Sequence, residues 1–328
     1  MEKTADSSSK IDGDQRIPVA VGACLVGHKV RFNGEAKRPS VPLRDLEQLF
    51  DLRPVCPEVG IGLGVPRPTI RLVGEAGRER AVDSDTGTRD VTAALRDYAA
   101  ERLAAMPEIA GYVFVKGSPS CGMARVKRYA ASGNSLAADG VGVYAAAIMA
   151  ANPLLPVEED GRLFDDGLRE SFVLRVLTYH AWQQLCARGL SPGAVMDFWA
   201  RRKYLVLGRS QAIYRQLGPL VAGLTRDNLQ DSADALIRGV LSALAQPVSR
   251  RGHTNVLMHL QGYLKRHLDS AQKLELSELI DQYRQGAVPL VAPMVLMQHY
   301  FREYPDPYIE RQLFMAPYPA QLGLRNRL

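Results

Sequence analysis

The stretch Gly111-Tyr-Val-Phe-Val-Lys-Gly117 places a continuous apolar run between two glycines. Such a run is typical of a short strand that is buried on both faces, as in a parallel sheet covered by helices. The run at 17–23 has the same character, and 69–73 alternates as a third strand. Apolar residues at helical spacing lie between and after these runs, at 88–103 and 141–151. The alternation predicts an α/β domain with a mainly parallel sheet.

The pattern of apolar residues changes in the second half of the chain. After Pro153 and Pro156 the strand signals disappear, and apolar residues recur at spacings of three and four in five segments, at 172–186, 198–207, 233–244, 255–268 and 274–283. The first residues are polar and carry no apolar periodicity. We therefore expect a disordered tail over 1–15, the α/β domain over 16–157 and an all-α domain over 158–328.

Composition excludes several classes of protein. The 328 residues are 46% apolar and contain only four cysteines, so a hydrophobic core and not a disulfide framework stabilises the fold. No apolar run reaches the roughly 18 residues of a membrane span. The N-terminus lacks the apolar region of a secretory signal. These features predict a cytoplasmic protein with reduced thiols and no membrane partner. The net charge of +6 is compatible with a nucleic acid, anionic lipid or phosphorylated partner.

Three cysteines lie in short turns rich in glycine and proline, each after an apolar run. These are Cys24, Cys56 and Cys121. Because the carboxyl ends of parallel strands meet at one edge of a sheet, the three thiols are expected to converge there. That pattern indicates a composite metal or iron–sulfur centre. Cys186 lies on an apolar helical stripe, and is expected to be a small buried hydrophobe.

Two kinds of centre are compatible with three thiols. A closed zinc site needs a fourth protein ligand, which His28, four residues after Cys24, would supply. However, Lys29 and Arg31 follow His28 and suit a solvated or phosphate-facing loop better. Alternatively, three thiolates hold three irons of a [4Fe-4S] cluster and leave the fourth iron open to a soft substrate atom.

Polar side chains stand beside two of the cysteines. Glu58 follows Cys56 by two residues, so its carboxylate can approach the same centre and manage protons. Ser118 and Ser120 flank Pro119 just before Cys121, and either hydroxyl could donate to a bound sulfur or oxygen. Satisfying a tight turn is an equally good account of both serines.

The motifs around these cysteines resemble the TudS-type desulfidases over residues 16–157. They are Cys24-Leu-Val-Gly27, Arg31-Phe-Asn-Gly34, Cys56-Pro-Glu58, Gly62-Leu-Gly-Val-Pro-Arg67, Thr86-Gly-Thr-Arg-Asp90 and Ser118-Pro-Ser-Cys-Gly122. The resemblance implies a [4Fe-4S] cluster held by Cys24, Cys56 and Cys121, with Glu58 and Ser118 as catalytic groups. It implies sulfur removal from thiolated uracil without redox turnover.

The second half resembles the YbgA-type helical domain. The matching stretches are Lys203-Tyr-Leu-Val-Leu-Gly-Arg-Ser210, Asn255-Val-Leu-Met-His-Leu-Gln-Gly-Tyr-Leu-Lys265 and Gln312-Leu-Phe-Met-Ala-Pro-Tyr-Pro319. The fusion of the two domains is similar to the RudS enzymes, which implies removal of sulfur from 4-thiouridine in tRNA and a tRNA-binding role for the helical domain. The expected RNA contacts are Lys29, Arg31, Lys203, Arg209, Lys265, Arg266 and Arg325.

Two other functions remain open from the sequence. The enzyme could act on free thiouracil or thiouridine monophosphate, with the helical domain serving dimerisation. Alternatively, the chain could be a metal-dependent RNA-binding regulator. The sequence leaves the oligomeric state undetermined.

Overall fold

The computed structural model describes residues 16–319 and 322–327, so the expected tail over 1–15 lies outside the described residues. The first sheet contains β1 (Ile17–Gly22), β2 (Phe50–Val55), β5 (Tyr112–Phe114) and β8 (Val157–Glu159) in the order β2-β1-β5-β8. All three pairings are parallel. The predicted α/β fold with a parallel sheet is confirmed. β8 runs two residues past the boundary expected at residue 157.

Three longer helices lie between and after the strands, two of them where apolar periodicity predicts them. α1 (Val41–Leu49) buries Leu43, Leu46 and Leu49, and the Ser40 side chain caps its N-terminus. The predicted helix at 88–103 is α3 (Thr92–Ala105), and that at 141–151 is α4 (Val143–Ala151). α3 begins late because residues 86–89 belong to a loop, in which three backbone N–H groups donate to the Asp83 carboxylate.

A second sheet was not expected from the sequence. It contains β3 (Ile70–Val73), β4 (Arg80–Asp83), β6 (Val126–Tyr129) and β7 (Ser135–Gly140) in the order β4-β3-β6-β7. β3 pairs parallel with β6, whereas β4 and β7 are added as antiparallel hairpin partners. The strand predicted at 69–73 therefore belongs to this sheet and not to the parallel one.

The remaining long elements are helices, which confirms the predicted all-α second part. They are α5 (Asp166–Arg188), α6 (Pro192–Arg209), α7 (Gln211–Ala222), α8 (Leu229–Ala245), α9 (Arg250–Leu264), α10 (Ser270–Gln285) and α11 (Val291–Glu303), followed by the single turn α12 (Pro307–Glu310). Among the described residues, no helix is long and apolar enough to cross a membrane.

α5 joins the two halves. Its Gln183 amide donates to the Ile109 carbonyl at 3.2 Å, and its Arg175 donates to the Val157 carbonyl at 3.2 Å. Phe172 and Val176 of α5 are fully buried in a core that is continuous with that of the parallel sheet. The first sheet is thus supported from the helical side, while its carboxyl edge stays open.

Candidate active site

Three thiols line one cavity of about 330 Å³ at the carboxyl edge of the parallel sheet. Cys24 lies in a 3₁₀ turn (Ala23–Val26) directly after β1, and Cys56 directly follows β2. Cys121 lies in the loop that follows β5. The convergence expected from strand-end placement is therefore confirmed. Cys186 is exposed on α5, so the prediction that it is buried is wrong.

The three thiols are free and soft ligands. None forms a disulfide. Burial raises the pKa of each thiol, most strongly for Cys121, where the neighbouring Glu58 charge adds to the effect. A bound cationic centre would offset this cost by stabilising thiolates. Thiolate donors around an open cavity fit an iron–sulfur cluster.

The Cys₃His zinc alternative finds no support. His28 is exposed and is absent from the cavity wall. Within 16–319 and 322–327, no three His, Cys, Asp or Glu side chains are grouped to hold a single metal ion. The three thiols share the wall of one cavity.

Glu58 is fixed in the cavity wall by two side chains. It lies in α2 (Pro57–Gly60), the turn that Cys56 caps. Ser120 Oγ donates to Glu58 Oε1 at 2.6 Å, and Arg67 Nε donates to Oε2 at 2.8 Å. The Arg67 side chain is only 4% exposed. Its remaining nitrogens donate to the Gly64 and Val30 carbonyls at 2.9 and 2.8 Å.

Arg67 is a site residue that sequence reasoning missed. It closes the motif Gly62-Leu-Gly-Val-Pro-Arg67, and membership of that motif is its single signal in the sequence. The Val30 carbonyl that binds Arg67 also accepts the Cys56 thiol at 3.8 Å. Arg67 therefore ties the carboxylate and one thiol to the same loop.

The two serines have different positions. Ser118 lines the cavity, and its Oγ accepts the backbone N–H groups of Ser120 and Cys121 at 3.3 and 3.0 Å. Ser120 is fully buried behind it. The Ser120 Oγ lies 3.1 Å from Ser118 Oγ and 3.4 Å from Cys121 Sγ, and it donates to Glu58. Ser118 can reach a bound molecule, whereas Ser120 connects Ser118 to Glu58.

The N-terminus of α4 holds the serine loop. The Val143 and Ala145 N–H groups donate to the Pro119 and Ser120 carbonyls, both at 3.1 Å. A Cβ at Gly142 would lie 2.6 Å from the Ser120 carbonyl group, so only glycine permits this approach. The loop that carries Ser118 and Cys121 is thereby placed by backbone contacts.

Cations surround the mouth of the cavity. Arg31, Lys37 and Lys116 line it, whereas Lys29 is exposed outside the wall. Lys37 Nζ pairs with Asp160 at 3.2 Å, and Asp160 also accepts the Lys116 backbone N–H at 2.9 Å. Of the expected RNA contacts in the first domain, Arg31 therefore lies nearest to the thiols.

Two expected RNA contacts of the helical domain are wrong. Arg209 binds Glu170 at 2.9 Å, with side chains only 3% and 1% exposed. Arg325 binds the other Glu170 oxygen at 3.1 Å, and the Tyr318 hydroxyl donates to it at 2.8 Å. Sequence spacing does not reveal that both cations pair with the same acidic residue on α5. They neutralise a buried carboxylate and are not presented to a ligand.

The other expected contacts lie nearer the surface. Lys203 is half-buried, with its ammonium 5.0 Å from the Tyr204 ring centroid and 4.8 Å from that of Tyr308. Lys265 and Arg266 are exposed in the turn after α9. Among the candidates of the helical domain, these two are the exposed cations.

Comparisons with known proteins divide the chain in the same way. A family described as 2-thiouracil desulfurase matches residues 19–160, and one described as a protein of unknown function (DUF1722) matches residues 203–319. The uncharacterized protein YbgA of Escherichia coli (strain K12) is 39% identical over 164 residues, which are 50% of this chain and 95% of YbgA. A solved [4Fe-4S]-dependent thiouracil desulfidase, TudS, is 29% identical with a TM-score of 0.36, over 46% of this chain and 93% of that one.

The first match ends directly after β8, the last strand of the parallel sheet, and the second begins within α6, so α5 lies between the two matched regions. The thiol-lined cavity lies in the first matched region, and the Lys203–Tyr308 surface lies in the second. The chain belongs to the family of YbgA through its helical part, which follows an N-terminal domain of the 2-thiouracil desulfurase family.

Proposed function

We propose that this desulfidase removes sulfur from 4-thiouridine in tRNA and leaves uridine, using a [4Fe-4S] cluster. The observation that carries the proposal is the cavity in the desulfurase domain, whose wall combines three free thiols with Glu58 and Ser118. Its volume of about 330 Å³ lies within the range of small-molecule sites.

Cys24, Cys56 and Cys121 hold the cluster. With three protein thiolates, a [4Fe-4S] cluster retains one iron without a protein ligand, which supplies a Lewis acid for a soft thiocarbonyl sulfur. The overall reaction joins the thiocarbonyl and water to give a carbonyl and hydrogen sulfide, so no external electron donor or acceptor is required.

The protein's own groups manage the protons of this exchange. Glu58 faces the cavity with both oxygens fixed, so it can take a proton from an attacking water without reorienting. Ser118 has its oxygen engaged by two backbone N–H groups. Because the Ser120 proton goes to Glu58, the Ser118 hydroxyl is the donor in its 3.1 Å bond to Ser120, and from the cavity wall it can turn to a ligand instead. Ser120 and Arg67 position Glu58, and of the two only Arg67 also lines the cavity.

A polymeric substrate is supported by charge. The net charge of +6, the exposed Lys265 and Arg266, and Arg31 at the cavity suit a polyanion. A base in tRNA must leave its stack to enter a site of this kind, at a cost of a few kcal/mol. Phosphate contacts away from the cavity would offset that cost, which gives the helical domain a role.

The test is to incubate anaerobically reconstituted protein with tRNA containing 4-thiouridine and to measure loss of 4-thiouridine and release of sulfide. Conversion to uridine with equal sulfide release is expected. Retention of 4-thiouridine by a brown, iron- and sulfide-containing protein would overturn the proposal.

A second candidate is a desulfidase of free thiouracil or thiouridine monophosphate. The family description, which names 2-thiouracil, favours it. Parallel assays with free 4-thiouracil, 2-thiouracil and 4-thiouridine monophosphate separate the two candidates. Turnover of a free compound with none of tRNA would establish this second function instead.

A further inference from the structure

A rigid turn projects an aromatic side chain at the edge of the thiol cavity. The turn is closed by the Gly34 N–H, which donates to the Arg31 carbonyl at 2.9 Å, and by the Arg31 N–H, which donates to the Glu35 carbonyl at 3.3 Å. Gly34 has φ +78°, a conformation that favours glycine. Asn33 and Glu35 add a side-chain hydrogen bond at 2.7 Å. Phe32 therefore stands on a turn with little freedom.

The same turn is docked on the catalytic wall. The Arg67 N–H donates to the Phe32 carbonyl at 2.9 Å, and the Arg67 side chain binds Glu58. On the other side, the Lys37 N–H donates to the Cys24 carbonyl at 3.0 Å. The position of the aromatic ring is thus coupled to the carboxylate and to one thiol.

The ring is left uncovered although it lines the cavity. Phe32 is 41% exposed, and it contributes to the cavity wall together with Cys24 and Glu58. The Arg31 guanidinium lies over its ring, 5.8 Å from the centroid. A lone exposed apolar residue needs no explanation, but one that is held by hydrogen bonds at a cavity edge and paired with a cation does.

Flat apolar surface beside a positive charge matches the chemistry of a nucleic acid strand. Aromatic side chains stack on bases regardless of sequence, and arginine binds the adjoining phosphate. A base that leaves its stack to reach the thiols exposes the face of its neighbour. An aromatic ring at the entrance replaces the missing stacking partner.

We propose that Phe32 stacks on the base adjacent to the extruded 4-thiouridine, while Arg31 binds the phosphate between the two nucleotides. This inference rests on the proposed tRNA substrate. It makes the Arg31-Phe-Asn-Gly34 turn a positioning device for RNA and not for a free thiopyrimidine. A mononucleotide has no adjacent base, so the ring offers it only a part of the cavity wall and no stacking contact with a neighbouring base.

The experiment compares Phe32→Ala, Phe32→Tyr and the wild-type holoprotein on two substrates, tRNA containing 4-thiouridine and 4-thiouridine monophosphate. Phe32→Ala is expected to lower kcat/KM for tRNA about tenfold or more, as loss of one stacked base predicts, and to lower it by a clearly smaller factor for the monophosphate. Phe32→Tyr should restore the tRNA value. Leu136→Ala, which shortens an exposed apolar side chain on β7 that does not line the cavity, is the matched control and should behave as wild type.

A second readout is independent of turnover. In an RNA stem-loop with 2-aminopurine beside the 4-thiouridine, binding of the wild-type holoprotein should leave the 2-aminopurine fluorescence quenched by stacking on Phe32. Phe32→Ala with intact iron and sulfide content should raise it.

The outcomes separate this inference from the proposed function. If wild-type protein desulfurates tRNA but Phe32→Ala is unimpaired, or is impaired equally on both substrates, the stacking role is wrong and the tRNA function stands. If the wild type does not desulfurate tRNA, both fail together.

Discussion

The Ser120 hydroxyl donates a hydrogen bond to Glu58 at 2.6 Å, although the two residues lie 62 positions apart in the chain. Ser120 is fully buried and also lies 3.1 Å from the Ser118 hydroxyl, which lines the cavity. A carboxylate with both oxygens held by Ser120 and Arg67 keeps one orientation, and so faces the cavity in a fixed geometry.

Replacing Ser120 by alanine is expected to slow catalysis without loss of the cluster. A hydrogen bond to a charged group contributes about 1.5–3 kcal/mol, so kcat should fall roughly 10- to 100-fold if the bond positions Glu58 in the transition state. KM should change little, because Ser120 does not reach the cavity. Steady-state kinetics on tRNA, with iron and sulfide analysis of the same samples, measure this.

Ser118→Ala is the matched comparison. Its hydroxyl accepts two backbone N–H groups, so its removal should lower the melting temperature as well as kcat. If Ser118→Ala leaves kcat unchanged while Ser120→Ala lowers it, Ser118 has no catalytic role and serves only to hold the turn, and Ser120 acts by positioning Glu58.

Substitution of the four cysteines should separate the three proposed cluster ligands from Cys186. Cys24→Ala, Cys56→Ala and Cys121→Ala should each lose the brown colour, the iron and the sulfide after anaerobic reconstitution, because each removes one of the three proposed ligands. Cys186→Ala should keep all three, since Cys186 is exposed on α5, away from the cavity wall. Full iron content in any of the first three variants would contradict the ligand set.

The convergence of the three thiols could be predicted from the sequence, but the side-chain contacts that hold the site together could not. Cys24 and Cys121 follow strands whose apolar runs are readable in the sequence, and parallel strands bring their ends to one edge. Arg67 became visible only through its contact with Glu58, because a motif position does not reveal its partner. The choice between Ser118 and Ser120 likewise depends on which side chain points inward, which spacing does not determine.

The second sheet escaped prediction for a related reason. β7 is exposed at four of its six positions and carries no apolar alternation, so only its pairing with β6 makes it a strand. For two of the expected RNA contacts, the structure shows more burial than the sequence suggests. Arg209 and Arg325 look like surface cations in sequence, but Glu170, 39 and 155 positions away, draws both into the interior.

Because Arg209 and Arg325 pair with the buried Glu170, we expect their substitution to lower the stability of the protein and to leave its affinity for tRNA unchanged. Removing one partner of a buried ion pair costs about 3–5 kcal/mol, so Arg209→Ala should lower the melting temperature by several degrees or more. At a temperature where both proteins are folded, affinity for tRNA should be unchanged. A variant with wild-type stability and weakened tRNA binding would restore Arg209 as an RNA contact.

His253 makes stability depend on pH. Burial, with Arg325 and Arg209 nearby, lowers its pKa from 6.5 to about 3, although Glu170 acts in the opposite sense. Below pH 6.5 the unfolded chain therefore binds a proton that the folded protein does not, so the free energy of unfolding falls as pH decreases. One such group contributes up to about 1.4 kcal/mol per pH unit.

Urea unfolding of the full chain between about pH 5 and 6.5, above the range of ordinary carboxyl groups, tests this dependence. His253→Asn should show a shallower decline, since its amide does not titrate while it offers a hydrogen-bonding group to the Tyr283 hydroxyl that His253 contacts at 2.9 Å. Parallel slopes for the two proteins would assign the pH dependence to other groups.

The two exposed cations after α9 provide the test of RNA binding by the helical domain. Lys265→Ala and Arg266→Ala should each weaken tRNA binding and lower the slope of log affinity against log salt by about 1 for each phosphate that the variant no longer binds. Turnover of 4-thiouridine monophosphate should be unaffected, because neither residue lines the thiol cavity. Arg238→Ala, an exposed cation on α8 outside the candidate set, is the matched control. An equal loss of affinity in the control would mean that binding follows net charge alone, whereas unchanged affinity and slope in the first two variants would place the RNA on another face.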